Sequence, residues 1–206
     1  MDASIGDRLR VTAEASGGSG GLAGKARATW RPSEHNELYV GYSLDPTRSA
    51  SSAPFPDRGR IVAGASYGYS DTFTTFAESV FDLPGDRRSL TQAYGVTWTP
   101  GPVWSFSAGL ETGEIQDAAS GDFDRFGLSL GAVWTPDEDR TGRLRLEYRT
   151  EDGDGVTRDR DTWAIAAGYS TRIARDWRLV ADLDASWSDS GEDPLEDAEY
   201  LNASLG

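Results

Sequence analysis

The stretch from Asp161 to Asp189 alternates strictly between two kinds of residue. Every second residue from Trp163 to Tyr169, and again from Trp177 to Trp187, is apolar or aromatic, while the residues between them are mostly small or polar. A period of two is typical of β-strands with two unlike faces. The segment 171–176 between the two runs predicts a turn. The pattern therefore predicts a β-hairpin, and the fold depends on which of its faces points inward.

The same alternation recurs along the whole chain, and no segment has a helical period. A hairpin unit also repeats: residues 95–111 resemble 131–149 and 167–184, and short connections alternate with longer, more polar ones. Repeated hairpins of this kind predict an antiparallel up-and-down sheet that closes into a barrel. About twelve strands are predicted, at residues 8–16, 23–31, 37–45, 60–70, 72–82, 89–99, 103–113, 124–135, 142–151, 161–170, 176–187 and 198–206.

Composition excludes several classes of protein. The 206 residues suit one domain. No apolar run approaches the roughly 18 residues of a membrane helix. The absence of cysteine rules out a disulfide framework and thiolate chemistry. Nucleic acid is not an expected partner, because a net charge of −14 lacks the clustered cations that phosphates require.

Three features of the two faces indicate that the apolar face points outward, into lipid. The polar face is rich in glycine, which an ordinary solvent-facing strand avoids. A barrel of about twelve strands is too wide for alanine-rich rows to fill as a dry core. Aromatic residues also lie beside the short turns, as a membrane-interface girdle requires. These girdle residues are Trp30, Tyr69, Trp98, Trp104, Trp134, Tyr169 and Trp177. The alternative is a soluble secreted β-barrel or sandwich that binds an apolar ligand inside.

With these features, essentially the whole chain resembles the outer-membrane β-barrels of Gram-negative bacteria. The resemblance implies a bacterial outer-membrane location, periplasmic short turns and extracellular polar loops. It also implies the lipid bilayer, lipopolysaccharide and the barrel assembly machinery as partners. Such barrels commonly end in an aromatic residue, whereas this sequence ends "EYLNASLG". We therefore expect a single barrel domain over 1–206, truncated at its C-terminus and belonging to a larger barrel.

The sequence carries little catalytic chemistry. The single histidine, His35, lies beside Glu34 in a predicted short turn, and no hydrolase, metalloprotease or phosphate-loop motif is present. We expect neither an enzyme nor a cofactor. Oxygen-rich segments at 152–160 and 190–197 favour at most weak Ca²⁺ binding, because the EF-hand spacing is missing.

Charged residues on the polar face are the strongest functional signal. Inside a membrane barrel such charges must be hydrated or paired. Two functions remain open: a narrow passive pore for small ions or solutes, whose wall charges select them, or a plugged barrel that anchors a larger surface protein. The predicted lumen-lining residues are Glu111, Arg125, Arg143, Arg145, Glu147, Arg149, Arg178, Asp182 and Asp184.

Overall fold

The computed structural model describes residues 1–18, 21–44, 59–83, 87–117, 121–153, 159–190 and 198–206. In this part of the chain thirteen strands form a single sheet. They are β1 Asp2–Ile5, β2 Leu9–Gly18, β3 Gly21–Ser33, β4 Asn36–Leu44, β5 Arg60–Ser70, β6 Phe73–Asp82, β7 Arg87–Trp98, β8 Trp104–Asp117, β9 Gly121–Asp137, β10 Arg140–Gly153, β11 Arg160–Ala174, β12 Trp177–Ser190 and β13 Ala198–Leu205.

The strands follow one another around the sheet in chain order, each antiparallel to the next. β1 and β13 are the two edges and are not paired with each other. The prediction of an all-β, antiparallel up-and-down architecture is confirmed. The strand missing from the sequence prediction is β1, whose four residues are too few to show an alternation. The described residues contain no helix long and apolar enough to cross a membrane.

The register keeps the two kinds of residue on opposite faces from strand to strand. Directly opposed residues share a face, since side chains alternate along each strand. Across β8–β12 one row is apolar or aromatic, and the row one residue along is polar or small. The first row is Leu110, Leu128, Tyr148, Trp163 and Trp187, and the second is Glu111, Gly127, Arg149, Thr162 and Ser188. A slip of one residue in any strand would mix the rows.

The polar face is the concave, inner one. Phe76 on β6 and Asp184 on β12 line one cavity together with Ser129 and Arg143, although five strands lie between β6 and β12. The apolar face is correspondingly open: Leu128 and Leu130 are 46% and 58% exposed. Among the described residues only Ile115 is a buried apolar side chain. This is the reverse of the apolar interior that a soluble ligand-binding barrel requires.

Two aromatic rings lie directly against glycines on the inner wall. A Cβ atom built on Gly95 would collide with the ring of Phe76, and one built on Gly64 would collide with the ring of Tyr39. Both pairs join neighbouring strands, β6 to β7 and β4 to β5. Glycine is therefore needed at these positions for close approach, and the aromatic ring covers the backbone that it leaves bare.

Substituting Gly95 by alanine should destabilise the barrel by about 1–3 kcal/mol, the usual cost of overpacking, because the Phe76 ring must leave its place. The measurement is the urea midpoint of the protein in lipid vesicles. Gly127→Ala is the matched control, since its new methyl group would meet its neighbours at 3.6 and 3.7 Å, ordinary contact distances. If the Phe76→Ala/Gly95→Ala double variant lost as much stability as the two single changes together, the ring–glycine contact would not be the cause.

Candidate functional site

All nine predicted lumen-lining residues lie on the concave face. Glu111 is on β8 and Arg125 on β9; four lie on β10 and three on β12. The register places each of them on the polar face, opposite residues of the neighbouring strands that are small or polar, apart from Val133 opposite Arg143. The structure thus brings together, on one wall, charges that are up to 73 positions apart in sequence (from Glu111 to Asp184).

Among the ion pairs between described residues of this wall, the least exposed one is centred on Arg125. Its Nη2 lies 2.6 Å from Oε1 of Glu151, and its Nε donates to the same oxygen at 2.8 Å. Glu111 approaches from the other side at 3.9 Å. The Arg125 and Glu151 side chains are only 21% and 20% exposed. Glu151 was not among the residues predicted from the sequence, and the pair is strengthened by its limited contact with water.

The remaining predicted charges differ in how they are paired. Arg143 lies 2.7 Å from Asp182, reaching across β11. Arg145 pairs with Glu147, two residues along its own strand, and Arg178 donates to the Ser170 hydroxyl at 3.0 Å.

Arg149 and Asp184 are the two predicted lumen residues that form no ion pair or side-chain hydrogen bond with any described residue. Both are exposed.

These pairs follow the wall instead of spanning the interior. Each joins residues on the same strand or at most two strands apart. In the described part of the chain, only strands that are neighbours in the sheet bring their backbones close together. The space in front of the polar face is therefore not filled by the described segments. The segment 46–59, a candidate for folding inward by its length, lies outside the described residues apart from Gly59.

The opposite part of the wall, β2 to β6, carries a second charged group. The sequence alternation assigns its members Arg27, Glu37 and Glu78 to the polar face, although they are not among the nine predicted lumen-lining residues. Glu37 accepts from Arg31 at 2.9 Å and lies 3.7 Å from Arg27. The Arg27 guanidinium is stacked 3.9 Å above the ring of Tyr39, whose hydroxyl donates to Glu78. Alternation is enough to place Arg27 on the polar face, but the contacts of its guanidinium depend on the neighbouring strands.

Phe76 was also missed, although it is the large apolar side chain that projects from the inner face of β6, 44% exposed. The outward row of β6 contains Thr75 and Ser79, so the contrast between its two faces is weak. Its glycine partner, Gly95, is visible only once β6 and β7 are paired.

The predicted girdle residues lie near the short-turn end of the sheet, and Trp104, Trp134 and Tyr169 contact one another in a row. The Trp104 ring stacks on the Phe106 ring, with 5.6 Å between the ring centres. The centre of the Trp134 ring lies 6.4 Å from that of Trp104 and 6.5 Å from that of Tyr169. Trp134 is half-buried, and the other six predicted residues are exposed: Trp30, Tyr69, Trp98, Trp104, Tyr169 and Trp177. An exposed band of stacked rings suits a membrane interface, where one side of the ring is apolar and the other wet.

A second group of aromatic side chains lies toward the other end of the same face. Trp163 is directly opposite Trp187 and 4.6 Å from the ring of Tyr148. Trp177 and Trp187 are ten positions apart on β12, or about 33 Å at ~3.3 Å per residue. Strands tilted by about 40° would shorten this to about 25 Å, the height of an outer-membrane apolar band.

Below the first belt, the turn between β9 and β10 is held by charge. The Arg140 guanidinium donates to Asp137, and this hydrogen bond holds the pKa of the Asp137 carboxyl below its usual range. The same guanidinium lies 5.8 Å from the centre of the Trp134 ring, and Arg172 pairs with Asp139 at 2.9 Å. Charged groups directly beside an aromatic belt are what a membrane–water boundary favours. His35 lies in the turn between β3 and β4, as its sequence position predicts.

Replacing Arg125 by glutamine should lower the free energy of unfolding by about 1–3 kcal/mol, because Glu151 and Glu111 lose their shared cation in a partly shielded place. Chemical denaturation in lipid vesicles is the measurement. Arg178→Gln is the control: it removes an equal charge from an exposed position of the same face and should change stability by less than about 0.5 kcal/mol. Equal losses in the two variants would contradict a special role for the Arg125 pair.

The acidic segments considered for Ca²⁺ lie mostly outside the described residues, which include 152–153, 159–160 and 190 of them. Within the described part of the chain, no three His, Cys, Asp or Glu side chains are placed to share a metal ion.

Solved structures that resemble this chain are outer-membrane proteins. The outer membrane channel DcaP of Acinetobacter baumannii aligns with a TM-score of 0.65 and 10% identity, over 96% of this chain and 69% of that one. OmpTdeltaL8, a loop L8 deletion mutant of an outer membrane protein of Vibrio cholerae, aligns with a TM-score of 0.63 and 9% identity, over 97% and 75%. An anion-selective porin from Comamonas acidovorans aligns with a TM-score of 0.60 and 13% identity, over 95% and 68%.

The chain has the outer-membrane β-barrel fold. This confirms the resemblance inferred from the sequence, and the fold agrees with the predicted location in the bacterial outer membrane. At 9–13% identity the likeness concerns the fold alone. No family model matches the sequence, and no curated protein matches it.

Proposed function

We propose that this outer-membrane barrel is a passive pore for small hydrophilic solutes. One observation carries the proposal. The apolar face points outward, and the charged side chains of the inner wall form ion pairs along the wall and not across the interior. A plugged barrel requires groups that meet in the middle of the lumen. A hydrated passage requires what the described strands provide: polar side chains on the wall and free space in front of them.

Passive diffusion needs no nucleophile, metal or cofactor, which agrees with the sparse chemistry of the sequence. The named channels and porins among the similar structures support this class of function. On this proposal the partners are the lipid bilayer, lipopolysaccharide, the barrel assembly machinery, and the small ions or solutes that pass.

The test is the current through the purified protein in planar bilayers. A pore should give discrete, stable conductance steps, and vesicles loaded with the protein should swell in small sugars. A protein that shifts its gel mobility on heating, and so is folded, yet gives neither steps nor swelling would instead be a plugged membrane anchor. The heat-modifiable shift separates that outcome from a failure to fold.

A further inference from the structure

The inner wall has a charge balance opposite to that of the chain. The whole sequence has 20 Lys and Arg against 34 Asp and Glu. On the inner face, counting only described side chains within strands, cations slightly outnumber acids, twelve to ten. The cations are Arg10, Lys25, Arg27, Arg31, Arg60, Arg125, Arg143, Arg145, Arg149, Arg160, Arg172 and Arg178. The acids are Asp2, Glu14, Glu37, Glu78, Asp82, Glu111, Glu147, Glu151, Asp182 and Asp184. Of the acidic side chains that the structure describes, most therefore lie away from the inner wall.

Arg149 is the cation on this wall that is best placed to act on a solute. Its direct neighbours across the strands are Gly127 on β9 and Thr162 on β11, which are small and uncharged. Arg125, Arg143 and Arg145 are each held by a carboxylate. Arg149 has no acid partner among the described residues and is exposed. A guanidinium in this state presents a planar fork of donors that matches a carboxylate.

An aromatic side chain shares the space in front of Arg149. A cavity of about 320 Å³ on the inner wall is lined by Arg149 and by Phe76. The Phe76 ring rests on Gly95, so its position is fixed by the wall while nearly half of it faces the lumen. Two carboxylates also line the cavity: Glu147 is paired with Arg145, and Glu111 lies 3.9 Å from Arg125. Arg149 is thus the cation of this cavity that has no acid partner among the described residues, and the Phe76 ring offers an apolar surface in the same cavity.

We propose that Arg149 and Phe76 form a binding station for small organic anions inside the pore. The carboxylate of the solute pairs with the Arg149 guanidinium, and its apolar part lies against the Phe76 ring. This inference rests on the proposed pore function and adds to it the class of solute.

The test uses the chloride current in planar bilayers at 1 M KCl, with benzoate or acetate added to one side. The unsubstituted protein should prefer chloride to potassium. Benzoate should reduce the current at about three- to tenfold lower concentration than acetate, because an aromatic contact adds to the charge contact. Arg149→Gln should weaken inhibition by both acids at least tenfold and reduce the anion preference, and Arg149→Lys should restore part of it. Phe76→Ala should keep the anion preference but remove the difference between benzoate and acetate.

Arg88→Gln is the matched control, since it removes an equal charge from the outward face of β7 and should alter neither property. The binding station would be contradicted if the protein conducts steadily but benzoate and acetate inhibit it equally, or if inhibition persists in Arg149→Gln. Either result would still agree with the proposed pore function. Absence of any conductance from folded protein would instead overturn the proposed function, and the station with it.

Discussion

Replacing Leu128 by arginine should prevent stable insertion of the barrel, while the same substitution at the next residue, Ser129, should be tolerated. Leu128 lies in the middle of the outward apolar face of β9, and Ser129 lies on the polar inner face. An arginine facing lipid near the bilayer midplane costs about 2–4 kcal/mol, whereas one facing a hydrated lumen keeps its water.

The measurement is the fraction of protein that folds into lipid vesicles, followed by the gel shift on heating. The two positions are adjacent in sequence and receive an identical side chain, so propensity and net charge are matched. Greater sensitivity at Ser129 than at Leu128 would mean that the polar face meets the apolar medium, and the membrane orientation inferred from the exposed leucines would be reversed.

Single cysteines should reveal which end of the barrel faces the outside. The chain has no native cysteine, so each introduced thiol is unique. Glu138 is exposed in the short turn between β9 and β10, and Asp159 is exposed just before β11 at the opposite end of the sheet. Because short turns face the periplasm in bacterial outer-membrane barrels, a membrane-impermeant maleimide added to intact cells should label Asp159→Cys and not Glu138→Cys.

Both variants should be labelled equally after the cells are broken, which controls for reactivity. The expected difference in intact cells is nearly all or none, since the outer membrane blocks the reagent. Labelling of Glu138→Cys alone would place the short turns on the outside of the cell. The aromatic belt beside the short turns would then lie at the outer surface of the membrane and not at the periplasmic one.

The positions of most strands could be predicted from the sequence, because each strand has one face toward an apolar medium and one toward a polar one. That contrast produces a period of two, visible without any partner strand. The strand at 60–70 has the predicted bounds, and most others differ by a few residues at their ends. The prediction failed for Asp2–Ile5, where four residues are too short a window.

The side of the sheet on which each charge lies could also be predicted, but its partner could not. Alternation assigns Arg143, Arg145 and Glu147 to the inner face. It does not say that Arg143 reaches Asp182 two strands away while Arg145 turns to Glu147. Those contacts depend on the register, which is shifted locally by irregularities such as the one between Arg140 and Gly142.

The alternating pattern by itself therefore determined the two-faced strands, their order and the lipid-facing rows, since these depend only on what each residue type prefers to touch. The tertiary structure alone decided that Phe76 covers Gly95, that Glu151 holds Arg125, and that Arg149 is left without an acid partner among the described residues. The reason is physical: burial and face are properties of one strand, whereas pairing depends on distances of a few ångströms between strands that lie far apart in the chain.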